Sequence, residues 1–148
     1  MNKSASTNNF PVFTMSNRGI LLLSGIYTTV WAAFFRWFGP EIFSWLSMQD
    51  DFSMILGTEF YSTVGIIAGI ILLLSAFYPI SWIYLTSLGL LGKLVTLFTF
   101  LFLYMPNLDW NKRIVFHLFF NELVCVLLVA GMLWKAWQVK KYLQTIPE

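Results

Sequence analysis

The sequence predicts an all-α integral membrane protein whose helices form a four-helix bundle. Of the 148 residues, 58% are hydrophobic and 11% are charged, and the mean hydropathy is +0.72. A soluble domain carries about 25% charged residues, so this composition does not suit one. About 20 consecutive apolar residues cross a bilayer as a helix. Four runs reach that length, at about 19–38, 59–78, 82–104 and 114–137.

The composition also excludes several kinds of chemistry. A net charge of +2, with scattered basic residues, gives no electrostatic footprint for nucleic acid. The single cysteine, Cys125, cannot form a disulfide within the chain, and no Cys-x-x-Cys motif supports thiol redox chemistry. There is no Gly-rich phosphate loop and no nucleophile elbow. We therefore predict no catalytic residue, no metal site and no cofactor, and we favour a protein that is not an enzyme.

The chain is predicted to begin and end with polar tails. Residues 1–18 contain no acidic group and are expected to form a flexible cytoplasmic tail, and residues 138–148 form a second one. The apolar run after the first tail is too long for the core of a signal peptide. In this first span Ser24, Thr28 and Trp31 recur at helical spacing, so a mildly polar face is expected to look into the bundle.

The longest predicted loop covers residues 39–58 on the outer side of the membrane. Gly39-Pro40 ends the first span, and Pro40 suits the first turn of a new helix. Residues 41–48 mix apolar and polar side chains. This pattern predicts either a short helix in the membrane interface or an ordinary ordered loop, and both alternatives stay open.

Glycines predict close packing of the second and third spans. Gly65 and Gly69 form a Gly-x-x-x-Gly motif, whose spacing lets another helix approach closely. Gly89 lies on the polar stripe of the third span. Packing inside the bundle is the favoured interpretation, and pairing with a second copy of the chain is the alternative. Only residues 79–81 separate the two spans, so they should form an antiparallel hairpin.

The distribution of lysine and arginine predicts the orientation in the membrane. An even number of spans places both termini on the same side. Basic residues near the span ends are more numerous on that side (Lys3, Arg18, Lys135, Lys140 and Lys141) than on the other (Arg36, Lys112 and Arg113). Because basic flanks stay in the cytoplasm, we predict a multi-pass protein of the cytoplasmic (inner) membrane with both termini cytoplasmic.

Two charges inside the predicted spans are the most informative feature of the sequence. Lys93 lies in the middle of the third span and Glu122 in the fourth, where a charge costs about 2.5–3.5 kcal/mol on insertion scales. Their depths differ by roughly 4–5 Å at the helical rise, which a lysine side chain can cover. Thr96 shares the stripe of Lys93, while His117 and Asn121 lie one turn apart beside Glu122.

Three interpretations of this cluster stay open. In the first, Lys93 and Glu122 neutralise each other and the cluster is structural. In the second, the cluster binds the polar head of a lipid-like molecule. The residues of that candidate site are Lys93, Thr96, His117, Asn121 and Glu122. In the third, Glu122 and His117 serve a proton-coupled transporter or a membrane enzyme.

Three short segments in the second half of the chain carry a family resemblance. They are Gly-Leu-Leu-Gly-Lys at 89–93, the loop Met105-Pro106, and Asn-Glu-Leu at 121–123. Together they resemble an uncharacterised family of small bacterial four-span membrane proteins, in which Asn-Asp-Leu-Ile-Trp-Trp follows the lysine motif. Here Glu122 replaces the aspartate, and Val-Cys-Val stands in place of Ile-Trp-Trp. The topology is also similar to that of DoxX-like proteins. The resemblance implies a four-span fold and a bacterial origin.

The sequence therefore favours a non-enzymatic accessory or interaction protein. The expected partners are the lipid bilayer, a lipid-like ligand, and another membrane protein or a second copy of the chain. Nucleic acid is not an expected partner, because the basic residues form no patch.

Overall fold

The computed structural model describes residues 10–49 and 57–145, which form helices and no strand. The helices are α1 Met15–Trp37, α2 Gly39–Ser47, α3 Glu59–Ser75, α4 Ile83–Thr99, α5 Lys112–Phe116 and α6 Cys125–Leu143. Helix α4 continues through a π-helical turn, Phe100–Tyr104, and a 3-10 turn, Met105–Asn107. A π-helical segment, His117–Val124, joins α5 to α6, and we call the whole of Lys112–Leu143 the C-terminal helix. The prediction of an all-α fold is confirmed for these residues.

Three helices are long and apolar enough to cross a membrane, namely Met15–Trp37, Ile83–Asn107 and Lys112–Leu143. Helix α3 is also apolar, but it has only 17 residues. At the α-helical rise it extends about 25 Å, whereas the hydrocarbon core of a bilayer is about 30 Å thick. Three of the four predicted spans therefore form helices that are long and apolar enough to cross a membrane.

The four longer helices pack around a common centre. Helix α1 packs against α3 and α6, and α4 packs against the same two helices, so α1 and α4 occupy opposite corners. The ring of Phe10 lies 5.6 Å from that of Tyr142, which places both described ends of the chain at one end of the bundle. We call this the inner end, and the opposite one the outer end.

Buried apolar side chains form two separate cores. The inner core contains Phe13, Leu21, Leu72, Ala76, Ile83, Cys125, Val129, Ala136 and Val139. The outer core contains Phe35, Phe43, Leu46, Tyr61, Phe100, Tyr104, Met105, Leu108 and Ile114. On each helix the residues between the inner and outer cores lie at middle depth. The two buried charges, Lys93 and Glu122, are at this depth.

Small residues let α1, α3 and α4 pack closely. A Cβ atom on Gly69 would lie 2.6 Å from the backbone nitrogen of Thr29, and one on Gly65 would lie 2.7 Å from the Cβ of Ala32. Both glycines of the Gly-x-x-x-Gly motif therefore face α1, as the interpretation of packing inside the bundle requires. Gly89 makes an equivalent approach from α4 to α3. Since α1 covers the motif, this face of α3 is not open to a second copy of the chain.

Two helices extend further than the sequence suggested. Helix α1 begins at Met15, inside the predicted N-terminal tail, because the Thr14 side chain accepts a hydrogen bond from the Asn17 backbone and caps the helix. Helix α6 continues to Leu143, into the predicted C-terminal tail, because Val139 still packs in the inner core. The bundle therefore includes residues that were expected to be tails.

The predicted outer loop contains a helix, α2, that closes the outer end of the bundle. Leu46 is fully buried in the outer core. Asn111 Nδ2 donates to the Leu46 carbonyl at 2.6 Å, and Arg113 Nη1 donates to the Trp45 carbonyl at 2.7 Å. Of the two alternatives, the chain forms a helix, and its apolar side packs on protein. The end of the predicted loop, residues 50–56, lies outside the described residues.

Candidate functional site

An ion pair lies at middle depth, between the two apolar cores. Lys93 Nζ is 3.0 Å from Glu122 Oε2, and the two side chains are 4% and 0% exposed. A charge that leaves water is tolerated only when another group compensates it. Each charge here supplies that compensation for the other. The ion pair expected from the sequence is present, and it connects α4 to the C-terminal helix.

Tyr61 of α3 provides a third connection. Its hydroxyl donates to Glu122 Oε1 at 2.5 Å, so the two carboxylate oxygens accept from two different helices. Tyr61 is absent from the predicted site, although it stands four residues before Gly65 and therefore on the same face of α3. Together these bonds make Glu122 the point where α3, α4 and the C-terminal helix meet.

Thr96 belongs to the same group but contributes mainly to α4 itself. Its hydroxyl oxygen lies 2.8 Å from the Lys93 carbonyl and 3.4 Å from Glu122 Oε2. A hydroxyl has one proton to donate, so the shorter bond to the carbonyl is the stronger one. Thr96 therefore fixes the local backbone beside the lysine.

The π-helical segment explains why the neighbours Asn121 and Glu122 are both buried, at 3% and 0% exposure. In an α-helix consecutive side chains diverge by about 100°, so two neighbours are both buried only where the helix has contacts on more than one side, as at Tyr61 and Ser62 of α3. A π-helical turn closes i→i+5 hydrogen bonds and so holds one more residue. His117, Asn121 and Glu122 all face the interior as a result. Such turns occur frequently at functional sites.

His117 lies in an aromatic enclosure. The centroid of its ring is 4.4 Å from that of Phe100, 5.6 Å from Phe35 and 5.8 Å from Trp31. Its Nδ1 is 2.9 Å from Asn121 Nδ2. The amide nitrogen can only donate, so Nδ1 accepts and the neutral ring carries its proton on Nε2. His117 and Asn121 thus form a pair of their own, distinct from the ion pair.

Buried polar atoms beside this pair lack a partner. Within the part of the chain that the structure describes, His117 Nε2, Asn121 Oδ1 and Trp31 Nε1 have no hydrogen bond. Each such atom costs about 1–3 kcal/mol of stability. Together they offer two donors and one acceptor. A small polar group that both donates and accepts hydrogen bonds would satisfy them.

An apolar groove of about 630 Å³ runs between α1 and the C-terminal helix, and we call it the α1 groove. Six residues of α1 and four of the C-terminal helix line it. Among them, Val30 directly precedes Trp31 and Phe120 directly precedes Asn121. The groove lining thus includes the sequence neighbours of Trp31 and Asn121 but not Trp31, His117 or Asn121 themselves.

The structure divides the five predicted site residues into two groups. One group comprises Lys93, Thr96 and Glu122, and the other comprises His117 and Asn121. In the structure Lys93 bonds to Glu122, whereas Asn121 bonds to His117. Among the described residues no three His, Cys, Asp or Glu side chains converge as a metal site would require.

Comparison with known proteins gives no further constraint. The chain matches no protein-family model, no curated protein and no solved structure. The resemblance to small bacterial four-span proteins therefore stays a hypothesis, and function has to be argued from the site itself.

Proposed function

We propose that the protein is a four-span protein of the bacterial cytoplasmic membrane, with α3 as its second span and both termini in the cytoplasm. An even number of spans agrees with the common position of Phe10 and Tyr142 at the inner end. Lysine and arginine are more numerous near the inner span ends, which supports a cytoplasmic location for that end. A short α3 is compatible with a bilayer that thins locally.

Within this protein, Lys93, Glu122 and Tyr61 have a structural role. The carboxylate accepts a hydrogen bond on each oxygen, and its side chain is fully buried. Apolar cores separate the network from both ends of the bundle. A network that is buried and mutually bonded in this way holds helices in register and leaves little for a ligand to bind.

The function that the geometry supports best is that of a non-enzymatic accessory protein that binds a lipid-like molecule. The observation that carries this proposal is the set of buried unpaired atoms on His117, Asn121 and Trp31. The α1 groove supports it, because Val30 and Phe120 of its lining are the sequence neighbours of Trp31 and Asn121. The apolar body of the ligand lies in the groove. Its polar group, such as a hydroxyl or an amide, donates to Asn121 and accepts from His117. The groove volume of about 630 Å³ falls within the usual range for ligand sites, about 300–1,000 Å³.

Mass spectrometry of molecules that copurify in mild detergent tests this proposal. Asn121→Leu removes the acceptor, and Leu128→Trp fills the groove, so both variants should lose a defined ligand that wild-type protein retains. The matched controls are Asn107→Leu at an exposed asparagine and Leu127→Trp, whose side chain points away from the groove and is 61% exposed. Both controls should retain the ligand. Equal retention by all five proteins, or no defined ligand in any of them, would contradict the proposal.

The alternative is a proton-coupled transporter or a membrane enzyme that uses Glu122 and His117. The buried hydrogen bond from Tyr61 to Glu122 favours it, because ionisable groups buried in membrane spans often mark proton pathways. The fully buried carboxylate and the apolar cores on both sides favour it less. Proton flux into liposomes that is lost in Glu122→Gln, while the variant stays folded, would establish this alternative.

A further inference from the structure

We propose that the inner end of the bundle binds an anionic phospholipid between α4 and α6. A second groove, of about 470 Å³, lies there, and we call it the α4 groove. Its lining includes Tyr84 and Leu90 of α4 together with Leu133 and Trp137 of α6, and no residue of α1. It is therefore a different site from the α1 groove, and this inference does not depend on the ligand proposed above.

The α4 groove is polar at its inner end and apolar farther along, as one leaflet of a phospholipid bilayer is. Tyr84 lies near the start of α4 and Trp137 near the end of α6, so both rings stand at the inner end. Tyrosine and tryptophan prefer the level of the lipid head groups. From Tyr84 to Leu90 the groove rises about 9 Å toward the hydrocarbon core. An acyl chain can follow this path below a head group at the rings.

Two lysines stand at the head-group end of the groove. Lys140 Nζ lies 5.0 Å from the centre of the Tyr84 ring, and Lys141 Nζ lies 5.6 Å from that of Trp137. Both rings belong to the groove lining. The ammonium groups are therefore held at its mouth by cation–π contacts.

No carboxylate of the described residues compensates these two lysines. Among the described residues, the ion pairs are Arg36 with Glu59 and Lys93 with Glu122. The described carboxylates are Glu41, Glu59, Asp109 and Glu122, which lie at the outer end or at middle depth. The inner mouth of the groove thus carries two positive charges that a phosphate group would neutralise.

An anionic phospholipid satisfies both the charge and the apolar lining. A transmembrane helix of a partner would cover the apolar wall, but it would neutralise the lysines only if it also carried acidic residues at that level. A zwitterionic lipid would bring its own cation to the same place. Basic residues near the membrane surface each contribute a favourable interaction with anionic lipids.

Native mass spectrometry of the purified protein tests this inference, with titrations of phosphatidylglycerol and of phosphatidylcholine that carry the same acyl chains. Wild-type protein should retain phosphatidylglycerol preferentially. In the double variant Lys140→Gln, Lys141→Gln, the preference for phosphatidylglycerol should fall by about 30-fold, because each basic residue usually contributes about 1 kcal/mol to binding of anionic lipid. Lys112→Gln, an exposed lysine at the outer end, is the matched control and should change nothing.

A second pair of variants tests the groove itself. Leu90→Trp fills it and should weaken binding of both lipids, whereas Leu91→Trp, at a neighbouring side chain that is 57% exposed and outside the lining, should not. Equal retention of the two lipids by wild-type protein would overturn the inference. So would a loss in Lys112→Gln as large as in the double variant, or unchanged binding in Leu90→Trp. A tightly bound protein retained at the groove in place of lipid would also overturn it.

Discussion

Replacement of Glu122 by leucine should destabilise the bundle severely, and the loss should be reversible by further substitutions. Glu122→Leu leaves the ammonium group of Lys93 buried at 4% exposure without its partner. Removal of one member of a buried ion pair typically costs about 3–5 kcal/mol. The same change leaves the Tyr61 hydroxyl without an acceptor, which adds about 1–3 kcal/mol. Such a loss is a large part of the usual stability of a folded protein, about 5–15 kcal/mol.

The two remaining costs can be removed one at a time. Lys93→Met with Glu122→Leu eliminates both charges, so only the Tyr61 hydroxyl stays unpaired, at about 1–3 kcal/mol. Adding Tyr61→Phe removes that group as well, and the triple variant should approach wild-type stability or exceed it, as apolar replacements of buried ion pairs often do. Stability should therefore increase from the single to the double to the triple variant.

Equilibrium unfolding in mixed micelles, followed by far-UV circular dichroism as the fraction of SDS rises, measures these free energies. The matched control is Glu59→Leu, which breaks the pair of Arg36 and Glu59 at 3.8 Å, with side chains 42% and 83% exposed. An exposed pair of this kind contributes about 0–1 kcal/mol. If Glu122→Leu costs no more than Glu59→Leu, or if the double variant loses the sum of its two single variants, the structural role of the pair is refuted.

Two further predictions concern packing and the outer end. Gly69→Ala should cost about 1–3 kcal/mol, because its new Cβ would lie 2.6 Å from the backbone nitrogen of Thr29, whereas Gly131→Ala, with nothing within 4 Å, should stabilise its helix by up to about 1 kcal/mol. The same unfolding assay separates the two glycines, and equal effects would contradict the close contact. Asn111→Ala should cost about 2 kcal/mol, because Asn111 caps α5 and also holds the Leu46 carbonyl at 2.6 Å. Limited proteolysis should then cut within residues 39–49 faster, and Asn107→Ala, whose side chain bonds only to Leu103 of its own helix, should leave that rate unchanged.

The ion pair could be predicted from the sequence because of its cost. Lys93 and Glu122 stand in different apolar runs, and neither could remain in the bilayer without compensation. Because the two residues lie at similar depths in their helices, each is within reach of the other. The packing of Gly65 and Gly69 followed in the same way from their spacing. A structural feature can therefore be predicted from the sequence when one large free-energy cost enforces it.

The details of the site were not visible, since they depend on backbone geometry. An α-helical projection separates Asn121 from Glu122 by about 100°, while the π-helical segment turns both inward. The contribution of Tyr61 depends on the rotation of α3, and the only charge in that helix, Glu59, lies at its exposed start. The pattern of residues 41–48 was ambiguous because its mixture of apolar and polar residues suits both a short interfacial helix and an ordered loop. In the structure these residues belong mainly to helix α2, whose Phe43 and Leu46 pack in the outer core.

The extra residue of the π-helical segment determines which insertions and deletions the C-terminal helix can accept. Ile114 packs in the outer core and Val129 in the inner core, and the segment His117–Val124 sets the rotation of one relative to the other. Deletion of one residue there, with conversion of the segment to an α-helix, would leave the rotation of α6 relative to α5 nearly unchanged, because a π-helical turn holds one more residue than an α-helical turn. A one-residue insertion or deletion in the α-helical part of α6 would instead rotate every residue beyond it by about 100° and move interior side chains toward the exposed surface. Substitutions leave the rotation of α6 relative to α5 unchanged.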